Sequence, residues 1–209
     1  AGRVVGLAYG RMEFGPRALG HRSILAQATD RAINDRLNAR LRRTEFMPFA
    51  PVTLRSQAER CFKGWRGDHA AARYMTMCYE TTAEFAAQCP ATVHVDSTAR
   101  PQVLGEETEL YEQIVRAYID RTGLLALVNT SFNAHGEPIV CSAADAYRGF
   151  ADQDACDVLA LYPYLFTRRD AEQPVAKERA CLSTPCAGGL RPAVVCGSQE
   201  RPSTPECDR

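Results

Sequence analysis

Apolar residues first occur as a short continuous run at residues 4–9, as expected of a strand with both faces covered. Residues 10–23 then turn polar and rich in glycine, proline and arginine, which reads as a loop. Thr29 or Asp30 is placed to cap a helix in which Ile33, Leu37 and Leu41 recur at i, i+4 and i+8. Arg36, Arg40 and Arg43 fall on its other faces. The string Phe46-Met47-Pro48-Phe49-Ala50-Pro51 ends that helix, and residues 52–63 read as another. Residues 73–79 alternate apolar and polar and predict a strand, as do residues 92–95. Residues 108–120 predict an amphipathic helix with Leu110, Ile114, Ala117 and Tyr118 on its core face. The unbroken apolar run at 124–128 predicts a buried central strand that opens into a loop at Asn129-Thr130-Ser131-Phe132-Asn133. Ser142 with Asp145 predicts a capped helix start, and residues 158–162 a last core strand. Alternating strands and helices predict one α/β domain over residues 1–169, a twisted sheet with flanking helices. The strands at 4–9, 92–95, 124–128 and 158–162 are expected in that sheet. The loops at 15–22 and 129–133 are expected to open on one cavity. Beyond residue 169 the periodicity stops. Residues 170–209 are rich in proline, cysteine, serine, glycine and arginine, and are expected to be a disordered or non-native tail.

Composition narrows the function. The chain has 209 residues and a formal net charge of zero, which argues against bulk attraction to nucleic acid or to a membrane. No apolar stretch reaches the roughly 18 residues that a membrane-spanning helix needs. The start, Ala-Gly-Arg-Val-Val-Gly, has no apolar leader and no initiator Met, and reads as a chain cut from something longer. The nine cysteines have no paired spacing, which suits a reduced cytoplasmic protein. Those in the tail lack a CxxC pair and a nearby histidine, so no metal site is expected. The zero net charge hides an asymmetry. Arginines crowd the first sixty residues, lysine is absent there, and only Glu13, Asp30, Asp35, Glu45 and Glu59 oppose them. Codon bias explains such a pattern, and so does a site for a polyanion, since the guanidinium fork matches phosphate oxygens.

Four segments carry candidate chemistry. Gly10 to Ser23, with Gly15-Pro16-Arg17-Ala18-Leu19-Gly20 at its centre, brings arginines and backbone close together after a strand, as phosphate sites do. A structural loop pinned by Glu13–arginine pairs is the alternative. Basic residues end a helix at Arg40, Arg42 and Arg43, where they suit the helix dipole; the alternative is that Arg42 or Arg43 reaches a phosphate. Asp96-Ser97-Thr98-Ala99-Arg100-Pro101-Gln102 delivers an aspartate and an arginine from a strand end. Asn129-Thr130-Ser131-Phe132-Asn133-Ala134-His135 offers amides and hydroxyls able to read a base edge or a carbamoyl NH₂. His135 alone reads more readily as structural than as catalytic. There is no G-x-S-x-G elbow and no HExxH, hence no nucleophile-and-base signature.

Together the strings GRMEFGPRALGHRSILA, INDRLN, RRTEFMPFAPV, HVDSTARPQ and NTSFNAHGEPIV, in this order, resemble the C-terminal region of the NodU-type O-carbamoyltransferase family. The resemblance implies a YrdC-like α/β fold in which carbamoyl phosphate and ATP, with Mg²⁺, give carbamoyl adenylate and pyrophosphate. It further implies a partner, an N-terminal actin/hexokinase-like domain that moves the carbamoyl group to a hydroxyl and carries the acceptor and metal residues. Position by position, Arg17 matches the family's GPRALG loop, Arg100 its TARPQ-like string, and Asn129 and Ser131 its NTSFN loop. Arg17, Arg100 and Ser131 are expected at the reacting groups, with Arg42, Arg43, Asn129, Thr130 and Asn133 holding the nucleotide. One departure bears on this. Many members have a lysine and an FRPFAP string where this chain has Arg42-Arg43 and Met47, so phosphate binding there must fall on Arg42 or Arg43, or be weaker. The alternatives are a YrdC-type RNA-linked module, which the neutral net charge disfavours, and an inactive truncated product.

Overall fold

The computed structural model describes residues 2–44, 48–67, 69–105 and 109–168. Its centre is a hairpin of two strands, β1 (Val5–Ala8) and β2 (Arg22–Gln27), antiparallel with Val5 opposite Leu25 and Ala8 opposite Arg22. A long loop joins them. Five more strands extend the sheet: β3 (Ala50–Leu54), β6 (Gln102–Leu104), β7 (Leu127–Ser131), β8 (Val158–Leu161) and β9 (Tyr164–Thr167). Their order is β6-β3-β7-β2-β1-β8-β9, with β1 parallel to β8, β3 parallel to β6, and the remaining pairs antiparallel. The expected α/β sheet with flanking helices is what forms.

Side-chain alternation along the strands sorts the core into two layers. Leu7, Leu25, Val52 and Leu127 face α4 (Leu110–Thr122), which contributes Tyr111, Val115 and Ile119. Their neighbours Ala8, Ile24, Ala26 and Val128 point the other way. There they join buried residues of α1 (Ala32–Arg40), α3 (Ala83–Gln88) and α5 (Ala143–Ala151), notably Ile33, Leu37, Phe85, Ala146 and Phe150. Ser142 caps α5 through the expected capping box with Asp145.

Several sequence expectations fail in instructive ways. Residues 52–54 are strand β3, not helix, because β7 and β6 flank them and bury both faces; a 3₁₀ turn and the short α2 (Ala58–Cys61) follow. The alternation at 73–79 does not make a strand. A 3₁₀ turn ends in Met75, whose φ of 55° breaks extension, and only β4 (Tyr79–Glu80) pairs, with β5 (Thr98–Ala99). Residues 92–95 form a turn instead of a sheet strand: Asp96 Oδ1 accepts from Thr98 N at 3.0 Å and Val95 is fully exposed. Helix α4 buries Tyr111, Val115 and Ile119, one position away from the expected face; Ala117 is exposed. The central strand runs three residues later than expected, so Asn129, Thr130 and Ser131 sit on β7 itself. Strands β2 and β9 were not anticipated. Residues 170–209, with Phe46 and Met47, lie outside the described residues.

Asp157, just before β8, ties the end of α1 to the start of β1. Asp157 accepts from Arg40 Nη2 at 2.5 Å and from Val4 N at 2.7 Å. Burial pushes the Asp157 carboxyl up, but these two donors outweigh it and hold the carboxyl below the usual carboxylate range. Its stabilisation is therefore present above the unfolded-chain value and lost as pH falls through the lower folded value. Asp157→Ala is expected to cost about 1.5–3 kcal/mol at neutral pH, the scale of hydrogen bonds to a charged group. Denaturant melts of parent and variant should begin to converge as pH falls below about 4, the ordinary aspartate range, and meet only below the lower folded value. A difference that persists undiminished there would contradict the assignment.

Candidate functional site

The loop between β1 and β2 is held from inside by its own side chains. Glu13 Oε1 accepts from Leu19 N at 2.6 Å and Arg22 N at 3.3 Å. The buried Arg22 guanidinium donates to the carbonyls of Tyr9, Gly10, His21 and Cys141. The loop is thus pinned by side chains bonded to backbone, not by Glu13–arginine pairs, and Arg22 is committed to the scaffold. Gly20 has φ 124° and lies against the Tyr111 ring, where a Cβ would come within 2.2 Å. Only glycine lets the loop close on the first turn of α4. So folded, the loop presents Pro16, Arg17 and Ala18 at its outer end.

Strand β7 meets this loop end-on. Asn129, 1% exposed, donates through Nδ2 to Ala18 O at 3.1 Å and to Gln102 Oε1 at 2.8 Å. Gln102 in turn donates to Leu19 O at 2.8 Å and accepts from the Tyr111 hydroxyl at 3.4 Å. On the opposite face of β7, Thr130 Oγ1 accepts from Arg43 Nη2 at 3.1 Å, and the Arg43 guanidinium lies 5.1 Å from the Phe49 ring centroid. Ser131 Oγ donates to Asn133 Oδ1 at 2.5 Å, while Asn133 Nδ2 donates to the carbonyls of Ala134 and Glu137.

These pieces enclose a cleft of about 140 Å³ lined by Arg17, Arg43 and Arg100 together with Asn129, Thr130 and Ser131; Pro16, Phe49 and Met75 complete its walls. The loop of Arg17 and the end of strand β7, rather than two loops, thus open on one cavity. Arg100 Nη1 donates to Met75 O at 3.3 Å. Burial, and then the charge of Arg17, hold the Arg100 guanidinium below its usual range, and burial does the same to Arg43. No carboxylate among the described residues lines the cleft. Three guanidiniums gathered without a carboxylate among the described residues are chemically suited to an anion.

Two expected residues stand apart from this cleft. Arg42 follows α1 at φ 54° with its side chain exposed, and Asn133 fastens the loop after β7. His135 Nε2 lies 3.5 Å from Thr44 Oγ1, outside the cleft. Sequence reasoning assigned no role to Gln102 or Met75. Gln102 carries a signal, a polar residue after Pro101 where the strand resumes; the Met75 carbonyl carries none. A larger cavity of about 310 Å³ lies on the α4 side of the loop, where Arg11 and Arg73 are matched by Glu13, Glu109 and Glu112. Among the described residues no group of three potential ligands could hold a metal ion, and no helix is long and apolar enough to cross a membrane. Cys61, Cys89 and Cys156 are free and buried; burial pushes their thiols up to about 12, 11 and 12, which makes them core residues rather than nucleophiles.

Residues 1–168 match the family described as Carbamoyltransferase C-terminus. The chain belongs to this family. It is 39% identical over 172 residues to nodulation protein NolO of Bradyrhizobium diazoefficiens, covering 81% of this chain and 31% of that protein. It is 36% identical over 222 residues to nodulation protein NolNO of Sinorhizobium fredii, covering all of this chain and 32% of the relative. Over 138 residues it is 40% identical to nodulation protein U of Rhizobium tropici, covering 66% of this chain and 23% of that one. The carbamoyltransferase C-terminal chain therefore spans about a third or less of the length of these relatives. The matched stretch contains every element that forms the arginine cleft.

Proposed function

We propose that this chain is the adenylate-forming part of an ATP-dependent O-carbamoyltransferase, with carbamoyl phosphate and ATP as its substrates. The observation that carries this reading is the convergence of Arg17, Arg43 and Arg100 on one cleft without a carboxylate among the described residues. Membership of the carbamoyltransferase C-terminal family narrows the anion to phosphorylated substrates of that chemistry. In balanced form, water cleaves carbamoyl phosphate to carbamate and inorganic phosphate. A carbamate oxygen then attacks the α-phosphorus of ATP, giving carbamoyl adenylate, and pyrophosphate leaves with the electron pair of the broken P–O bond. Such a displacement needs no protein nucleophile. It needs aligned reactants and positive charge on the phosphoryl oxygens. Arg17 and Arg100, neighbours in the lining of the cleft, supply that charge. Arg43, anchored on Thr130 and Phe49, fixes a third donor, and Ser131 offers a hydroxyl at the strand end.

Mg²⁺ bound with ATP would neutralise phosphate charge. Transfer to an acceptor hydroxyl we assign to the actin/hexokinase-like domain that the family resemblance implies. The free buried thiols suit work in the reducing cytoplasm. The test is exchange of labelled pyrophosphate into ATP, with mass spectrometry of hydroxylated acceptors alongside. The expected result is slow exchange that requires carbamoyl phosphate, with no carbamoylated acceptor formed by this chain alone. Exchange that survives combined loss of Arg17, Arg100 and Ser131 would remove the reaction from this cleft. A carbamoylated acceptor would overturn the division of labour.

A further inference from the structure

Asn129 lines the arginine cleft yet makes only half of its possible hydrogen bonds. Its two protein partners, Ala18 O and Gln102 Oε1, both accept. Gln102 Oε1 is itself fixed as an acceptor, because Gln102 Nε2 donates to Leu19 O and the Tyr111 hydroxyl donates to Oε1. The Asn129 amide therefore has one permitted orientation: NH₂ toward the loop and Gln102, carbonyl oxygen away. That oxygen, Oδ1, is buried and has no partner among the described residues. A buried acceptor left unmade costs free energy comparable to a lost hydrogen bond. An orphaned acceptor on a residue that lines a cleft with three guanidiniums, all donors, suits a ligand that is anionic at one end and carries N–H at the other.

We infer that Asn129 Oδ1 reads the carbamoyl NH₂, and that Gln102 is the positioning residue that keeps Oδ1 aimed at it. This rests on the proposed carbamoyl phosphate site and adds what selects the carbamoyl group within it. The arginines bind any acyl phosphate alike. Acetyl phosphate has the same shape but a methyl where carbamoyl phosphate has NH₂, so it leaves Oδ1 unsatisfied. Discrimination between the two belongs to Asn129, held by Gln102 from β6.

The experiment is calorimetric titration of the full chain with fresh carbamoyl phosphate, acetyl phosphate and inorganic phosphate. The parent is expected to bind carbamoyl phosphate about tenfold or more tightly than acetyl phosphate, the scale of one satisfied buried acceptor. In Asn129→Ala that ratio is expected to fall to within about threefold of unity. Gln102→Met should reduce it as well, while Gln102→Glu, which retains an acceptor for Asn129 Nδ2, should keep it; a merely structural role would not separate these two. Equal affinity of the parent for the two acyl phosphates overturns the inference without any variant, and leaves the arginine cleft as a phosphate site. An unchanged ratio in a folded Asn129→Ala also overturns it. Failure of the parent to bind any of the three phosphates removes the underlying site reading as well.

Discussion

Arg100→Ala is expected to weaken ATP binding by about 1.5–3 kcal/mol, roughly 10- to 150-fold, the scale of a charge-assisted hydrogen bond. Arg17→Ala is expected to act on the same scale. Among the described residues Arg100 has one weak acceptor, the Met75 carbonyl at 3.3 Å, and a like charge beside it in Arg17. Its charge is thus tolerated rather than stabilised, and a phosphate arriving in the cleft relieves both the burial and the repulsion. The same reasoning fixes a second readout. Removing an uncompensated, half-buried cation should leave the melting temperature of the ligand-free chain unchanged or slightly raised, as for other groups kept for binding at the expense of stability. Calorimetry and thermal melts on one preparation check both. Parent-like ATP affinity would take Arg100 out of the site. A large fall in melting temperature would make it a structural arginine like Arg22.

Gly20→Ala is expected to destabilise the chain by about 3 kcal/mol, combining a strained positive φ with overpacking against a ring. For a chain of this size that is a fall of roughly 6–12 °C in melting temperature. The added Cβ would sit 2.2 Å from a ring atom of Tyr111, which is itself buried between α4 and the sheet. The loop can yield only by lifting from α4. That carries away Ala18 O and Leu19 O, the carbonyls that hold Asn129 and Gln102. Loss of stability should therefore be accompanied by loss of ATP affinity in the fraction that still folds. Differential scanning calorimetry with and without ATP separates the two effects. A melting temperature within about 2 °C of the parent would show that the loop does not depend on this contact.

Local pattern revealed the elements whose stability is local. The period of Ile33, Leu37 and Leu41 placed α1, and the Ser142–Asp145 box placed the start of α5, because caps and stripes are written within a few residues. What failed depends on neighbours distant in sequence. Residues 52–54 are a strand because β6 and β7 flank them, and β2 exists because β1 and β7 do. The turn at Asp96 overrode the polar–apolar alternation before it through a side-chain bond that hydropathy does not record. At the site, the family strings brought Arg17, Arg100, Asn129, Thr130 and Ser131 to one cleft, but composition could not say which arginines were free. Arg17 in the loop and Arg22 at the start of β2 are five residues apart; the second is saturated by backbone carbonyls and the first is exposed and lines the cleft. Gln102 escaped notice because its importance lies in two partners, Asn129 and Tyr111, from other elements.

The central claim is that phosphorylated substrates enter the cleft between the loop of Arg17 and the end of β7, and not the larger cavity beside it. The most direct measurement is an ATP titration of isotope-labelled chain followed by backbone and guanidinium NMR shifts. The expected result is saturable shifts confined to Arg17, Arg43 and Arg100 side chains and to the backbone of Ala18, Asn129, Thr130 and Ser131. Shifts that instead gather on Arg11, His21, Tyr74 and Glu109, the walls of the larger cavity, would contradict it.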